Sequence, residues 1–280
     1  MNSCAIVATY HKTGTAWMAA TFRQICEEAN IPMVSLEERQ SFAPQDCVRP
    51  LVVRSTHSKF HKFRWLFDDA QNRIFHLIRD PRDVVISGMH YHRSSDEPWL
   101  HVSHPEWGGS TYQEKLNTLD CERSRLLFEM NHSAKATIDS MLAWDYRRPN
   151  SFECKYEDLI GDFDSALFTQ VARHLGFSED ELPICRDAFW KNSIFGQKSS
   201  LVGKRLHVRS GGGQQWKGVF DRALARAFVA RFGDGLIRLG YERDQAWIDE
   251  LPEVSEKLDA PEVREPASVD PKFMAYSDFW

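Results

Sequence analysis

The sequence has no long apolar run and no paired cysteines. Its six cysteines are scattered along 280 residues without a C-x-x-C pair, so neither a zinc site nor a disulfide framework is expected. No stretch approaches the ~18 apolar residues that a membrane-spanning helix needs. These absences predict a soluble protein of a reducing, cytoplasmic compartment, without a membrane partner.

An excess of positive charge is also lacking. The formal net charge is -5, so no global field favours nucleic acid, and no nucleic-acid partner is expected. A polyanionic ligand would have to be held by local basic groups. Hydrophobic residues, in contrast, are plentiful: they make up 42% of the chain, which contains nine Trp and eighteen Phe. This composition is sufficient for one sizeable core and for an apolar pocket.

Short apolar segments alternate with segments of helical period. Strands are predicted at residues 4–9, 51–53, 74–78 and 152–155, and helices at 17–29, 82–91, 111–129, 133–146, 163–175, 179–190 and 221–232. The alternation predicts an α/β fold with a mainly parallel sheet flanked by helices and a phosphate-binding loop after the first strand. Residues 1–243 would form one domain, and the acidic residues 244–280 a tail that packs on it or is partly disordered.

Two of the predicted helices begin with recognisable capping signals. Asp80 followed by Pro81 predicts an N-cap and a first helical position. Ser178 with Glu181 three residues later predicts a capping box at the start of the helix at 179–190.

A glycine-containing turn follows the first predicted strand. Residues 10–17 read YHKTGTAW, and a strand, a short turn and a helix in this order put free backbone N–H groups on an anion. Lys12 adds a positive charge, Gly14 allows close approach of the backbone, and Thr15 offers a hydroxyl donor. Because the lysine precedes the glycine, this is not a Walker A loop, and a nucleotide triphosphatase is disfavoured. Taken alone, the segment is equally compatible with an ordinary βα turn and a surface lysine.

Two further segments offer anion-binding groups. Arg79 ends the third predicted strand and Ser87 lies eight residues later, at the carboxyl edge where ligands of parallel sheets gather. A planar guanidinium binds phosphate through two nitrogens; alternatively, Arg79 forms a local ion pair with Asp80 or Asp83. Residues 207–217, HVRSGGGQQWK, form either a basic glycine loop that wraps a phosphate or a plain linker.

In this order, these segments resemble those of the PAPS-dependent sulfotransferase family, where PAPS is 3′-phosphoadenosine 5′-phosphosulfate. Residues 10–17 resemble the family's Y-P-K-[SA]-G-[TN]-[TN]-W loop, which holds the 5′-phosphosulfate, and residues 77–87 (LIRDPRDVVIS) resemble its 3′-phosphate signature. Residues 209–217 resemble its R-K-G-x-x-G-D-W-K loop, residues 155–159 its Y-E-D-[LM] segment, and residues 54–57 its K-T-H segment. The resemblance covers roughly residues 4 to 220.

The resemblance implies transfer of a sulfuryl group from PAPS to a hydroxyl or amine of a small-molecule acceptor, with PAP as the other product. It gives His57 the role of general base and Lys12 that of stabilising the leaving oxygen. Trp17 would stack on the adenine, which Tyr156 helps to hold and Phe195 covers on its other face. The implied PAPS-binding residues are Lys12, Thr13, Gly14, Thr15, Ala16, Trp17, Arg79, Ser87, Tyr156, Phe195, Arg209, Ser210 and Gly211. The resemblance implies no metal ion.

The choice of His57 is made among eleven histidines. Others that could serve a pocket are His61, His76, His90, His92, His101 and His104. The Thr-His context of His57, and its position 22 residues before Arg79, match the family and favour His57.

The chain departs from the family's pattern at several positions. His11 replaces a proline, Ala16 replaces a hydroxyl residue, and lysines are replaced at Ser55 and Ser210. These changes remove donors and positive charge from the nucleotide site. The family's K-T-V-E dimer signature is not recognisable near residues 217–226, so a homodimer would have to form without it.

Residues 94–109 read as a loop rich in Pro, His, Trp and Gly. Its aromatic side chains, Trp99 and Trp107, suit a lid over a partly apolar acceptor. Equally, they could tuck an ordinary surface loop onto the core.

Two rival functions stay open at this point. A non-catalytic module that binds PAP or another nucleotide would fit the lost lysines at Ser55 and Ser210. A small-molecule kinase of the P-loop type would need a lysine after the glycines and a magnesium-binding carboxylate, and the sequence offers neither in the expected pattern.

Overall fold

The computed structural model describes residues 4–39, 41–43, 46, 51–56, 60–194, 196 and 212–259. Five of the predicted site residues lie outside these ranges: His57, Phe195, Arg209, Ser210 and Gly211.

Five parallel strands form one sheet. The strands are β1 Cys4–Thr9, β2 Met33–Ser35, β3 Leu51–Thr56, β4 Arg73–Ile78 and β5 Ser151–Lys155. Their order across the sheet is β2-β3-β1-β4-β5, and every neighbouring pair runs parallel. The predicted α/β fold with a parallel sheet is thereby confirmed. The sequence analysis missed β2, because three residues are too few for an alternating pattern to emerge.

Helices flank the sheet on both faces. They are α1 Thr15–Glu28, α2 Arg64–Asp68, α3 Pro81–His92, α4 Tyr112–Thr118, α5 Glu122–Asn131, α6 Ser133–Ala143, α7 Tyr156–Leu159, α8 Ala166–Leu175, α9 Leu182–Asn192, α10 Arg222–Phe232, α11 Gly235–Arg238 and α12 Glu256–Asp259. Short 3₁₀ turns occupy Pro98–His101, Pro105–Trp107, Gln215–Gly218 and Ala246–Ile248. Within the described ranges, no helix is long and apolar enough to cross a membrane.

The predicted helix at residues 111–129 is wrong, because the chain forms two helices there. Helix α4 ends at Thr118, Leu119 is extended, and α5 begins at Glu122. The buried Arg125 donates from Nη2 to the carbonyl oxygen of Leu119 at 2.6 Å. This bond satisfies a carbonyl at the break, so the break is stabilised by a contact that helical periodicity does not report.

The capping signals have different outcomes. The Asp80 carboxylate accepts from the Arg82 N–H at 2.9 Å, with Pro81 at the first helical position, as predicted. Helix α9, however, begins at Leu182 rather than at residue 179. Ser178 donates to the carboxylate of Glu181 at 2.6 Å from its N–H and 2.9 Å from its hydroxyl, and these bonds form a turn before the helix.

Strand β1 is buried on both faces, as is usual for a central parallel strand. Val7 packs against the layer of α1, α8 and α9, which includes Phe22 and Phe168. Ile6 points to the opposite face and packs with Leu66 of α2. A third apolar cluster joins α3, α4, α5, α6 and α10 beside the carboxyl end of the sheet.

The chain after residue 243 joins this third cluster. Trp247, Leu251 and Leu258 are buried in it. The domain boundary proposed at residue 243 stays a prediction.

Candidate functional site

Four of the segments singled out in the sequence follow neighbouring strands. The loop at residues 10–14 follows β1, Arg79 follows β4 and Tyr156 follows β5. Thr56 ends β3 and pairs with Thr9, the last residue of β1. These segments therefore meet at the carboxyl edge of β3, β1, β4 and β5, where parallel sheets bind ligands. His57 directly follows Thr56, although it lies outside the described residues.

The turn after β1 is closed around one carbonyl group. The Tyr10 carbonyl oxygen accepts from the Thr13 N–H at 3.1 Å, from the Thr13 hydroxyl at 2.9 Å and from the Thr15 hydroxyl at 2.7 Å. Thr13 Oγ1 also accepts from the Tyr10 N–H at 2.9 Å. Both threonine hydroxyls thus hold the turn in shape.

The Tyr10 side chain anchors the same turn to the interior. Its hydroxyl lies 2.8 Å from Nε2 of the buried His76, whose Nδ1 bonds the Glu153 carboxylate. The His76 ring stacks on Trp144 with centroids 4.1 Å apart. Burial lowers the pKa of His76, which favours its neutral form, and its contacts make it a structural anchor of the turn.

Left-handed backbone brings the turn close to Tyr156. Lys12 has φ +66° and Gly14 has φ +105°. A Cβ on Gly14 would lie 3.1 Å from Tyr156 Cδ2 and 3.4 Å from Leu77 Cδ2, so this position requires glycine. The first N–H groups of α1 have no acceptor within the helix, and they form its positive end. The exposed Ala16 lies in this first turn.

The Lys12 ammonium group is held in a partly desolvated place. Its Nζ lies 3.5 Å from the centre of the Tyr91 ring. Burial lowers the pKa of Lys12 to about 8; Glu97 opposes this shift, and the positive charge of Arg79 adds to it. The group is still largely protonated at neutral pH, so it can pair with an anionic ligand.

Arg79 lies against the loop at residues 10–14. Its Nη1 donates to the Lys12 carbonyl oxygen at 3.1 Å, and its guanidinium lies 4.4 Å from the centre of the Tyr156 ring. The alternative of a local ion pair is realised only weakly, because Asp83 is 4.0 Å away and Asp80 pairs with Arg82 instead at 2.7 Å.

Some hydrogen-bonding capacity is left on Arg79 for a ligand. Its buried Nε has no hydrogen-bond partner among the described residues, and burial raises the pKa of Asp83, which weakens the competition from that carboxyl. Ser87, partly buried, lies further along α3.

Two aromatic rings flank the start of α1. Trp17 and Tyr156 meet edge to face with centroids 6.0 Å apart, and Phe189 lies 5.1 Å from Trp17. The buried indole N–H of Trp17 has no hydrogen-bond partner in the described part of the chain. A flat heterocycle with acceptor atoms fits such a wall.

A group of polar residues that the sequence analysis did not assign lies next to Lys12. Nε2 of His11 is 2.8 Å from Nε2 of His92, and Nδ1 of His92 is 2.8 Å from Oε2 of Glu129. Tyr112 donates its hydroxyl to the same oxygen at 2.8 Å. The sequence signals for this group were a histidine at position 11 in place of the family's proline and the presence of His92 among the histidines that could serve a pocket.

The segment predicted as an acceptor lid packs over this group. Trp99 lies 5.0 Å from the His92 ring and 5.1 Å from the Tyr112 ring, and Trp107 lies 5.8 Å from Tyr112. Glu97 accepts from the Tyr91 hydroxyl at 3.0 Å and from Trp99 Nε1 at 2.5 Å. The segment thus lies beside the Lys12 end of the site, and its role as a lid stays a prediction.

Comparison with known proteins gives consistent matches. A model of the sulfotransferase domain matches residues 3–240. Sulfotransferase 2A1 of Rattus norvegicus is 23% identical over 250 residues, which cover 80% of this chain and 81% of that protein. Sulfotransferase 2A6 of Mus musculus is 21% identical over 255 residues, which cover 83% and 84%.

A solved structure has the same fold. Mouse sulfotransferase SULT7A1 complexed with PAP superposes with a TM-score of 0.58 at 19% identity, covering 89% of this chain and 88% of that one. Since the domain match spans most of the sequence, this chain belongs to the sulfotransferase domain family.

Proposed function

We propose that this chain transfers the sulfuryl group of PAPS to a hydroxyl or amine of a small-molecule acceptor. The observation that carries the proposal is the meeting of Lys12, Arg79 and the Trp17–Tyr156 pair at one sheet edge. Membership of the sulfotransferase domain family supports the reaction class, and the PAP bound to the mouse structure supports the donor.

In this proposal each end of the nucleotide has its own partner. Lys12 and the N–H groups that begin α1 bind the 5′-phosphosulfate, because they combine a cation with the positive end of a helix. Arg79 and Ser87 bind the 3′-phosphate, and Trp17 and Tyr156 hold the adenine.

The remaining residues that are proposed to contact PAPS lie outside the described ranges. Phe195, Arg209, Ser210 and Gly211 are assigned on the family resemblance alone. The Trp216 N–H donates to Asp83 Oδ1 at 3.0 Å, and Asp83 lies 4.0 Å from Arg79. This bond ties the chain shortly after Gly211 to the helix that carries the proposed 3′-phosphate site.

The reaction balances with groups of the protein and the two substrates. The acceptor oxygen or nitrogen attacks sulfur, its proton goes to a base, and the S–O bond to the nucleotide breaks with its electron pair on the phosphate oxygen. The Lys12 cation stabilises that oxygen as its charge develops. The resemblance assigns the base to His57, and that assignment stays a prediction.

Two assays test the proposed function. Calorimetric titration should give 1:1 binding of PAP without magnesium, and labelled sulfate should pass from PAPS to at least one member of a panel of alcohols, phenols and amines. Binding of PAP without any transfer would favour the non-catalytic module. Tight magnesium-dependent binding of ATP without PAP binding would favour the kinase.

A further inference from the structure

A buried carboxyl group lies between the two residues proposed to bind the 3′-phosphate. Asp83 and Ser87 are four residues apart on α3, so they lie on one face of this helix, a turn apart. Arg79 precedes the helix, and its Nη2 lies 4.0 Å from Oδ2 of Asp83. The Asp83 side chain is 0% exposed. The order along this face is therefore a cation, a buried acid and a hydroxyl.

The two carboxyl oxygens of Asp83 have different surroundings. Oδ1 accepts from the Trp216 N–H at 3.0 Å. Oδ2 is buried and has no hydrogen-bond partner among the residues that the structure describes, because the distance of 4.0 Å to Arg79 is too long for a hydrogen bond. A buried polar atom without a partner is costly. Oδ2 is therefore available to a ligand that binds at Arg79.

The surroundings of Asp83 oppose its negative charge. Burial raises the pKa of this carboxyl, Arg79 opposes the shift, and the neighbouring Asp80 adds to it. The charged and titratable groups around Asp83, on its own and on the neighbouring elements, are Arg79 at the end of β4, Asp80 and Arg82 at the start of α3, Tyr156 and Glu157 on α7 and Lys217 in the turn Gln215–Gly218. The cation that lowers the pKa of Asp83 is Arg79.

A phosphate bound to Arg79 would remove this compensation. A phosphate monoester has a second pKa of about 6, so its charge at neutral pH is close to about −2. On the Arg79 guanidinium, it neutralises the cation that stabilises ionised Asp83 and adds negative charge beside Oδ2. A nearby like charge raises the pKa of an acid, and two anions side by side share a proton. Binding of the dianion should therefore bring one proton into the site.

We propose that Asp83 binds the 3′-phosphate as a neutral acid, donating a hydrogen bond from Oδ2 to a phosphate oxygen; this role rests on the proposed function. The proton comes from solvent when the nucleotide binds and returns to solvent when PAP leaves, and no covalent bond between heavy atoms changes. Arg79 neutralises the phosphate, and Asp83 supplies a further donor without adding a second negative charge. Asp83 thereby helps to select a nucleotide that carries a 3′-phosphate.

Proton uptake can be measured by calorimetry in buffers of different ionisation enthalpy. At pH 7, PAP should bind the wild-type chain with uptake of about one proton more than adenosine 5′-phosphate does. The comparison cancels the proton uptake of the 5′-phosphate and of Lys12, whose pKa is about 8, because both ligands carry the 5′-phosphate. Between pH 6 and 7.5, the Kd of PAP divided by that of adenosine 5′-phosphate should rise by up to about tenfold per pH unit.

The substitution Asp83→Asn imitates the protonated acid. Its amide oxygen can accept from the Trp216 N–H, and its NH₂ group can donate to the phosphate. The variant should take up no extra proton with PAP, and it should bind PAP at least as tightly as the wild-type chain at pH 7.5. The ratio of the two Kd values should then change by no more than about threefold between pH 6 and 7.5, since only the phosphate titrates.

Asp145→Asn is the matched control. It makes the same change at an exposed carboxylate that pairs with Arg147, so it should keep the proton uptake and the pH dependence of the wild-type chain. Infrared difference spectra add a readout that needs no stable variant. The wild-type chain should gain the C=O stretch of a protonated carboxyl when PAP binds and not when adenosine 5′-phosphate binds, and Asp83→Asn should lack this band.

Distinct results would overturn the inference. A preference for PAP without extra proton uptake would mean that Asp83 stays ionised, as would a large loss of PAP affinity in Asp83→Asn with its fold intact. Uptake that persists in Asp83→Asn but is lost in Glu157→Gln would assign the proton to that other buried carboxyl. Failure of PAP to bind, or equal affinity for PAP and adenosine 5′-phosphate at every pH, would instead overturn the proposed function itself.

Discussion

At the scale of single residues, the pKa of Lys12 sets an upper limit to the pH range in which the site should bind PAPS well. Its pKa is lowered to about 8, first by burial, whereas an exposed lysine titrates near 10.4. The group therefore loses its proton as the pH rises through about 8. We expect kcat/KM for PAPS to fall above about pH 8, because this parameter reports the ionisations of the free enzyme.

The substitution Lys12→Arg checks this assignment. A guanidinium stays protonated throughout the accessible pH range, so the alkaline limb should move up by more than one pH unit even if the maximal rate falls. Initial rates between pH 6 and 10 measure this. An alkaline limb that stays near pH 8 in the variant would mean that another group titrates there.

Gly14 is the second residue to test, because its substitution changes the backbone conformation of the loop without removing a charged group. Ala at this position would have to adopt φ +105° and bring its Cβ to 3.1 Å from Tyr156 Cδ2. Gly14→Ala should lower the free energy of unfolding by about 1–3 kcal/mol and weaken PAP binding, since the loop must shift. Urea melts and calorimetry measure both effects. Gly161→Ala, whose Cβ would meet only ordinary contacts beyond 3.5 Å, should leave both nearly unchanged.

At the scale of elements, Arg82 joins three separate segments. Its guanidinium lies 3.4 Å from the Trp216 ring and 4.6 Å from the Trp247 ring, and it pairs with Asp80 at 2.7 Å and with Glu242 at 2.6 Å. The start of α3 is thereby tied to the turn after the glycine loop and to the chain beyond residue 243.

Removing this group should be costly. Arg82→Met leaves two partly or fully buried carboxylates without their partner, so the free energy of unfolding should fall by about 3–5 kcal/mol. Arg147→Met, which breaks an ion pair of an exposed arginine with Asp145, should cost at most about 1 kcal/mol. Equal urea midpoints for the two variants would show that Arg82 does not have this structural role.

The strands and helices also show how much of the structure could be predicted from the sequence. The alternation of strands and helices follows from local apolar periods, and Arg79 and Tyr156 could be placed at the sheet edge because each follows a predicted strand. The break between α4 and α5 was missed, since the bond of Arg125 to Leu119 is tertiary. The close approach of Gly88 to Glu129, whose Oε1 a Cβ at position 88 would meet at 2.4 Å, likewise arises from helix packing across 41 positions, and no local pattern predicts it.

At the scale of the whole molecule, the strand order explains why one ligand can stabilise the fold. β1 lies between β3 and β4, so the segments that follow these strands are distant in sequence but adjacent in space. PAP bound across them should resist unfolding of the entire sheet. At 100 times its Kd, the nucleotide should add about 2.7 kcal/mol and raise Tm by about 5–10 °C. Thermal melts at several PAP concentrations measure this, and a Tm independent of PAP would exclude binding to the folded chain.

The last expectation concerns which phosphate the sheet edge recognises. PAP and adenosine 5′-phosphate differ only in the 3′-phosphate, so their difference in affinity measures what the 3′-phosphate contributes, and Arg79 is one of its proposed partners. The wild-type chain should prefer PAP by about tenfold or more, because a hydrogen bond to a charged group is worth about 1.5–3 kcal/mol. Arg79→Met should abolish most of this preference while affinity for adenosine 5′-phosphate changes little, since Lys12 and the Trp17 ring are untouched. If Arg79→Met weakened both ligands equally, the guanidinium would act by holding the Lys12 carbonyl and shaping the loop, and the 3′-phosphate would have to be bound elsewhere.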